Sequence, residues 1–381
     1  MSAPLIDRVR RRLVVADADL GEVVRAEAAG ILDDAALAAL QREVTGELSG
    51  AGPLEPLLAL PGVSDVLVNA PDSVWVDRGR GLERAPVQFA DDAAVRRLAQ
   101  RLASAAGRRF DDAQPFVDAT LPDGTRLHAV LPPLCVQTTL SLRVLARTRR
   151  DLRHLITTGC LTEAVAEVLA AVVAARLAFV VTGGTGAGKT TVLGAMLALA
   201  DPLERVLVIE DAAEIVLDRP HAVRLVTRTA NVEGAGAVGL RELVRQSLRM
   251  RPDRLVVGEF RGAEMVELLV ALNTGHEGGA ATLHANSAAD VPARLAALGG
   301  LAGLSGAAVT SLAASALRVV VHLRRLRTGE RVVDEIGVLD RAGDTLGVHT
   351  AWHRRTGVGP AAGRLLDELL AREAPAPALL R

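Results

Sequence analysis

Apolar and polar positions change texture along the chain. Through residue 51, charges alternate with Leu, Val and Ala at helical spacing, as in Ala35-Ala36-Leu37-Ala38-Ala39-Leu40. This predicts a helical lead-in over 1–51. Its arginines read as a solvated face or a partner surface. From Gly52 short β-branched runs take over, with strands expected at 66–68, 74–76, 85–89, 126–130 and 139–144. Turn signals at Ala70-Pro71-Asp72, Arg78-Gly79 and Leu121-Pro122-Asp123-Gly124-Thr125 separate them, and 91–106 has helical periodicity. Residues 52–146 therefore read as an α+β domain.

A charged connector over 147–160 leads to a different pattern. A helix at 162–174 precedes strands expected at 179–182, 206–209, 223–226, 255–257, 280–283 and 319–323, alternating with helical stretches. Such alternation predicts an α/β domain over 161–345. Its sheet would be mainly parallel, covered by helices, with ligand at the C-terminal ends of the strands. Residues 295–317 run 23 positions without a charge, long enough to cross a bilayer. They are crowded with Gly, Ala, Ser and Thr, so a buried helix pair with a Gly-containing turn is expected instead. Residues 346–381 read as a C-terminal tail made of a short helix and loose chain.

Composition narrows the choices. The 381 residues suffice for two domains with real cores. A formal net charge of −1 gives no global basic field, and 2% aromatics without Tyr supply no base-stacking platform. DNA binding is disfavoured on both counts. Cys135 and Cys160 lack C-x-x-C spacing, which excludes a zinc site built on cysteine pairs and fits a reducing cytosol. The charges at Arg10, Arg11 and Arg12 have no adequate apolar core after them, so neither a signal peptide nor a twin-arginine leader is expected. The chain is expected to be soluble.

The chemistry starts at 177–191, LAFVVTGGTGAGKTT. An apolar β-branched run breaks into Gly183-Gly184-Thr185-Gly186-Ala187-Gly188-Lys189-Thr190-Thr191, followed by an Ala/Leu-rich helical pattern. That is G-x-x-x-x-G-K-[ST] in the strand–loop–helix context the pattern requires. Its glycines let successive N–H groups turn toward phosphate oxygens, and the helix N-terminus adds partial positive charge. Lys189 would reach the β- and γ-phosphates of ATP, and Thr190 would offer its hydroxyl to Mg²⁺. Lys189 is also the only lysine among 44 basic residues, a compact ammonium kept where a planar guanidinium would not serve.

Strand-end acids surround that loop. The 255–257 strand ends in Gly258-Glu259, placing Glu259 as a metal- or water-orienting carboxylate and general base. The 206–209 strand ends in Glu210-Asp211, which either bind Mg²⁺ or cap the next turn. His276 and His284 flank the 280–283 strand; without further ligands they suit phosphate sensing better than a metal, His284 above all.

The order of the P-loop, IEDAAEI, RMRPDRLVVGEFRG and TGHEGGAATLHANSA resembles the type II/type IV secretion ATPase superfamily, with its Walker A, Asp box, Walker B and His box. GPLEPLLALPGVSDVLVNAPDSVWVDRGRG and LPDGTRLHAVLPP resemble its tight-adherence (Flp) pilus branch, close to conjugal-transfer ATPases. The resemblance implies a RecA-like ATPase domain behind a PAS-like N-terminal domain in a homohexameric ring. Such rings lie in the cytoplasm against the inner membrane and power pilus assembly or secretion through platform proteins. It implies catalytic roles for Glu259, Glu210, His284 and His276, and a metal set of Thr190, Asp211 and Glu259. It further implies phosphate-contacting arginines from the N-terminal domain and linker, for which Arg126 and Arg143 are candidates, and Arg261, just after Glu259, as one acting across a subunit edge, with an ordinary ion pair as the alternative for each. Two departures are Gly279-Ala280-Ala281, where a more polar run is usual, and Phe260, where a smaller residue is common. The absent cysteine-pair zinc module favours the tight-adherence or conjugation-like branch. A conjugal DNA-transfer ATPase and a nucleotide-dependent switch are the rival functions. A GTP switch lacks its N-K-x-D motif here, because no Asn precedes a Lys.

Overall fold

A computed structural model describes Val23 and residues 50–79, 81–145, 150–230, 234–343 and 345–381. The expected helical lead-in falls almost wholly outside the described residues. The chain divides into two compact units, Met1–Ala146 and Arg147–Arg381.

The first unit is a six-stranded antiparallel sheet in the order β3-β2-β1-β6-β5-β4. Its strands are β1 (Asp65–Ala70), β2 (Ser73–Asp77), β3 (Leu82–Arg84), β4 (Phe116–Thr120), β5 (Arg126–Val130) and β6 (Thr139–Arg143). Alternation sends Val66, Val68, Val74, Leu127, Ala129, Leu140 and Leu142 inward. Helix α1 (Asp92–Ala105) presents Val95, Leu98, Ala99, Leu102 and Ala103 to that core, a stripe at helical spacing. Asp91 caps it by accepting from the Ala94 amide at 2.7 Å. Two expectations shift. The third strand ends at Arg84 rather than covering 85–89, where Pro86 has no N–H for a ladder. Strand β4 was not expected, since only Val117 and Ala119 of its five residues point inward.

The second unit holds a nine-stranded sheet in the order β15-β14-β13-β12-β7-β11-β10-β8-β9. The strands are β7 (Phe179–Gly183), β8 (Val206–Glu210), β9 (Ala222–Val226), β10 (Arg254–Val257), β11 (Ala280–Leu283), β12 (Val319–Arg325), β13 (Arg331–Ala342), β14 (Thr345–His353) and β15 (Gly357–Val358). From β12 through β9 every pairing is parallel; β13, β14 and β15 add an antiparallel meander. Helices cover both faces. Phe179 and Val181 of β7 join one core, with α2 (Leu152–Thr157), α3 (Glu163–Ala174) and α4 (Lys189–Leu197), while Val180 joins the other. The second core is closed by α5 (Leu240–Ser247), α6 (Glu264–Leu272), α7 (Val291–Leu301) and α8 (Gly306–Ala316).

The uncharged run at 295–317 lies across α7 and α8. A Cβ on Gly299 would sit 2.1 Å from Val309 Cγ2, so this glycine lets the two helices touch. Among the described residues, no helix is long and apolar enough to cross a membrane. The expected loose tail is corrected. Strands β14 and β15 extend the sheet, and α9 (Ala362–Ala371) buries Leu365 and Leu369 in the first core, with Leu380 buried behind them.

Candidate functional site

Parallel pairing brings the C-terminal ends of β7, β8, β10 and β11 to one edge of the sheet. Each strand hands over to a loop carrying a charged or polar group, the arrangement expected of a ligand crevice in such folds.

The loop after β7 is built by glycines. Gly183, Gly186 and Gly188 have φ of 148°, 69° and 94°, a region closed to ordinary side chains. A Cβ on Gly183 would also lie 2.5 Å from the Leu323 carbonyl oxygen. Gly184, Thr185 and Gly186 form the exposed crest, while Ala187 is buried and anchors the loop. Lys189 opens α4 and folds back, its ammonium donating to the Gly183 and Gly184 carbonyls at 3.1 Å each. Burial lowers its pKa, against the opposing pull of Glu259 and Glu214. Thr190 donates its hydroxyl proton to Glu214 Oε2 at 3.4 Å. Thr191 follows on the first turn of α4.

Glu259 stands at the centre of a polar chain. Its Oε1 lies 2.6 Å from His284 Nε2, and its Oε2 accepts from Arg261 Nε at 2.6 Å. Arg261 reaches on to Asp211 Oδ2 at 3.2 Å. Lys189 Nζ lies 3.4 Å from His284 Nδ1 and 3.2 Å from Nε2. Burial and then the Lys189 charge lower the His284 pKa, against the pull of Glu259. A neutral ring with its proton on Nε2 donates to Glu259, while the Lys189 ammonium lies nearly equidistant from the two ring nitrogens. Gly258, just before Glu259, makes room for the buried Glu210 side chain, since a Cβ there would meet Glu210 Cγ at 2.9 Å.

Other expected residues fall elsewhere. Glu210 is 3% exposed, and its Oε1 accepts from the Glu214 and Ile215 amides at 3.0 and 2.8 Å. Its Oε2 is 3.3 Å from Arg224 Nε, an ionic contact without hydrogen-bond geometry. Desolvation raises its pKa to about 7. Glu210 thus folds the segment after β8 instead of facing the P-loop. Glu214, four residues on, is the carboxylate that reaches Thr190. The sequence signal was present in IEDAAEI, but the backbone pairing that turns Glu210 inward was not visible there.

Asp211 contacts Arg261 and Thr227 rather than Thr190. Thr190 with Glu214 is the donor set that fits a Mg²⁺ ion carried in on nucleotide phosphates. Among the described residues no cluster of His, Cys, Asp and Glu would hold a metal by itself. His276 accompanies the turn after α6, its Nδ1 3.2 Å from the Ala271 carbonyl, at the end of β11 opposite His284. Of the two expected histidines, His284 contacts Lys189 and Glu259, whereas His276 contacts the Ala271 carbonyl. Arg126 and Arg143 belong to the first unit, directly opposite each other on β5 and β6. Asp118 partners Arg126 at 3.7 Å, and Asp65 partners Arg143 at 2.9 Å. Glu264, not singled out from sequence, is buried and accepts from the Arg261 and Gly262 amides at 2.5 and 2.6 Å, fixing the turn that carries Arg261.

The fold and this crevice define a P-loop protein. Residues 47–357 match the family described as Type II/IV secretion system protein, and the chain belongs to that family. A Mycobacterium tuberculosis protein named for conjugal transfer is 55% identical over 349 residues, covering 90% of this chain and 99% of its own. The probable conjugal transfer protein TrbB of Sinorhizobium fredii is 32% identical over 281 residues, 72% of this chain and 83% of its own. The crystal structure of the pilus retraction motor PilT with bound ADP shares the fold, at a TM-score of 0.54 and 22% identity, over 74% of this chain and 80% of that one.

Proposed function

We propose that this chain is a Mg²⁺-dependent ATPase whose second unit is a RecA-like motor domain and whose first is a PAS-like domain. It would work as a homohexameric ring on the cytoplasmic face of the inner membrane, driving pilus assembly or protein secretion through platform proteins. The observation that carries this is the convergence of Lys189, Glu259 and His284 in one hydrogen-bonded chain beside the P-loop. Bound Mg-ATP supplies the phosphoanhydride and its metal. Lys189 exchanges the Gly183 and Gly184 carbonyls for phosphate oxygens. Glu259 orients the attacking water and takes its proton. His284 turns an N–H to the charge that develops.

Purified protein should release phosphate from ATP with Mg²⁺, more slowly from GTP, and not after Lys189→Ala. Failure of Lys189→Ala to abolish release would overturn the site. The names of the relatives favour a second reading, a conjugal DNA-transfer ATPase. Titration with duplex DNA across a salt series separates the two, because phosphate contacts impose a steep salt dependence.

A further inference from the structure

The P-loop is backed by the β12–β13 hairpin at three successive points. The Leu323 carbonyl abuts Gly183, as above. Arg325 Nη1 lies 3.8 Å from where a Gly186 Cβ would sit. Arg331 Nε donates to the Gly186 carbonyl at 2.8 Å, and its Cδ is 3.3 Å from the Cβ position of Gly188. Arg325 and Arg331 face each other across the hairpin register. The next amide completes the arrangement, since Ala187 N–H donates back to the Gly184 carbonyl at 3.3 Å. The peptide between Gly186 and Ala187 is thus held at both ends.

We propose that Arg331 is a positioning residue for the nucleotide, a clasp that preforms the P-loop from outside. This deepens the ATP-site reading given above and rests on it. A loop with four glycines among its first six residues loses much conformational freedom when it orders around an anion. A partner that orders it beforehand removes part of that cost from binding. The guanidinium also keeps the Gly186 carbonyl on the hairpin side. Freed, that carbonyl can rotate toward the phosphates and repel them. The long side chain of Arg331 combines that reach with a methylene cover over Gly188.

The test is equilibrium binding of a fluorescent ribose-labelled ADP with Mg²⁺ to the full chain, alongside steady-state ATP hydrolysis. Arg331→Ala should weaken ADP binding about tenfold and raise KM similarly, with kcat within about twofold, because the loop is disordered but the reacting groups remain. Arg331→Lys, whose ammonium can still donate to the carbonyl, should recover binding to within about threefold of wild type. If Arg331→Ala folds poorly, Arg331→Met, which keeps the methylene cover and has no donor, carries the same comparison. Wild-type ADP affinity in Arg331→Ala or →Met, with binding lost in Lys189→Ala, overturns the clasp and leaves the ATP site standing. Wild-type affinity in Lys189→Ala overturns the ATP site itself. A kcat loss in Arg331→Ala with unchanged KM also overturns the clasp, since it assigns Arg331 to chemistry.

Discussion

His284 Nε2 lies 2.6 Å from Glu259 Oε1, joining residues that follow two neighbouring parallel strands. The carboxylate and imidazole orient each other, and Lys189 closes the group from the P-loop side. A charge change at any one of them is therefore felt by the others.

Glu259→Gln should keep Mg-ATP binding within about threefold and lower turnover by about 10²–10³, since it preserves shape and hydrogen bonding but removes the base. Rapid-quench and equilibrium binding measure the two separately. Near-normal turnover would transfer the role to Glu214, whose own Gln variant is the control.

Glu210 gives a pH-dependent stability signature. Burial raises its pKa from an ordinary 4.5 to about 7 in the folded chain. Between these values the native state holds a proton the unfolded chain has released, so stability falls as pH rises through that window. Wild-type stability should fall relative to Glu210→Gln by about 3 kcal/mol from pH 4 to pH 8, as an upper limit. Urea unfolding across that range reads it. A flat difference would show that burial does not shift Glu210.

Lys189 can be followed alone because it is the only lysine. Its lowered pKa leaves more of the reactive neutral amine near pH 8, although burial slows access. Phosphate oxygens would raise the pKa and cover the nitrogen. Amine-directed labelling should mark Lys189 slowly in the free protein and be blocked by Mg-ATP, read by peptide mapping. Equal labelling with and without nucleotide would remove Lys189 from the phosphates.

Arg126 and Arg143 place two like charges side by side on adjacent strands, an unfavourable pair unless an anion or the flanking acids repay it. If they complete a neighbour's site, inactive Arg143→Ala and inactive Glu259→Gln chains should recover measurable ATPase activity when mixed in one ring. Verified mixed assemblies without recovery would confine Arg143 to its own chain.

Much of this was legible in the residues. The 280–283 strand is β11 as expected, and the P-loop strand and the strands leading to Glu210 and Glu259 differ from expectation by one residue at an end. Continuous apolar runs bounded by glycine or acid leave little choice of element. The helix pair at 295–317 was legible for a similar reason, because small residues fit close helix contact. Strand β13 was not, because Asp334 and Glu335 interrupt its pattern. Asp334 is nonetheless buried, repaid by Arg324 at 3.0 Å.

Sequence alone determined which chemistry is present: a phosphate loop with one lysine, acids at strand ends and a histidine after the next strand. These are properties of local order, set by neighbours a few positions apart. Which acid meets Thr190, which histidine meets Glu259 and which arginine clasps Gly186 was decided only by tertiary structure. Glu210 turns inward because two backbone amides and burial receive it, and His276 stays behind because β11 separates it from His284. Arg331 meets a glycine 145 positions away because β12 pairs beside β7. Such contacts depend on strand order, which brings together residues far apart in the chain and is not written around any one of them.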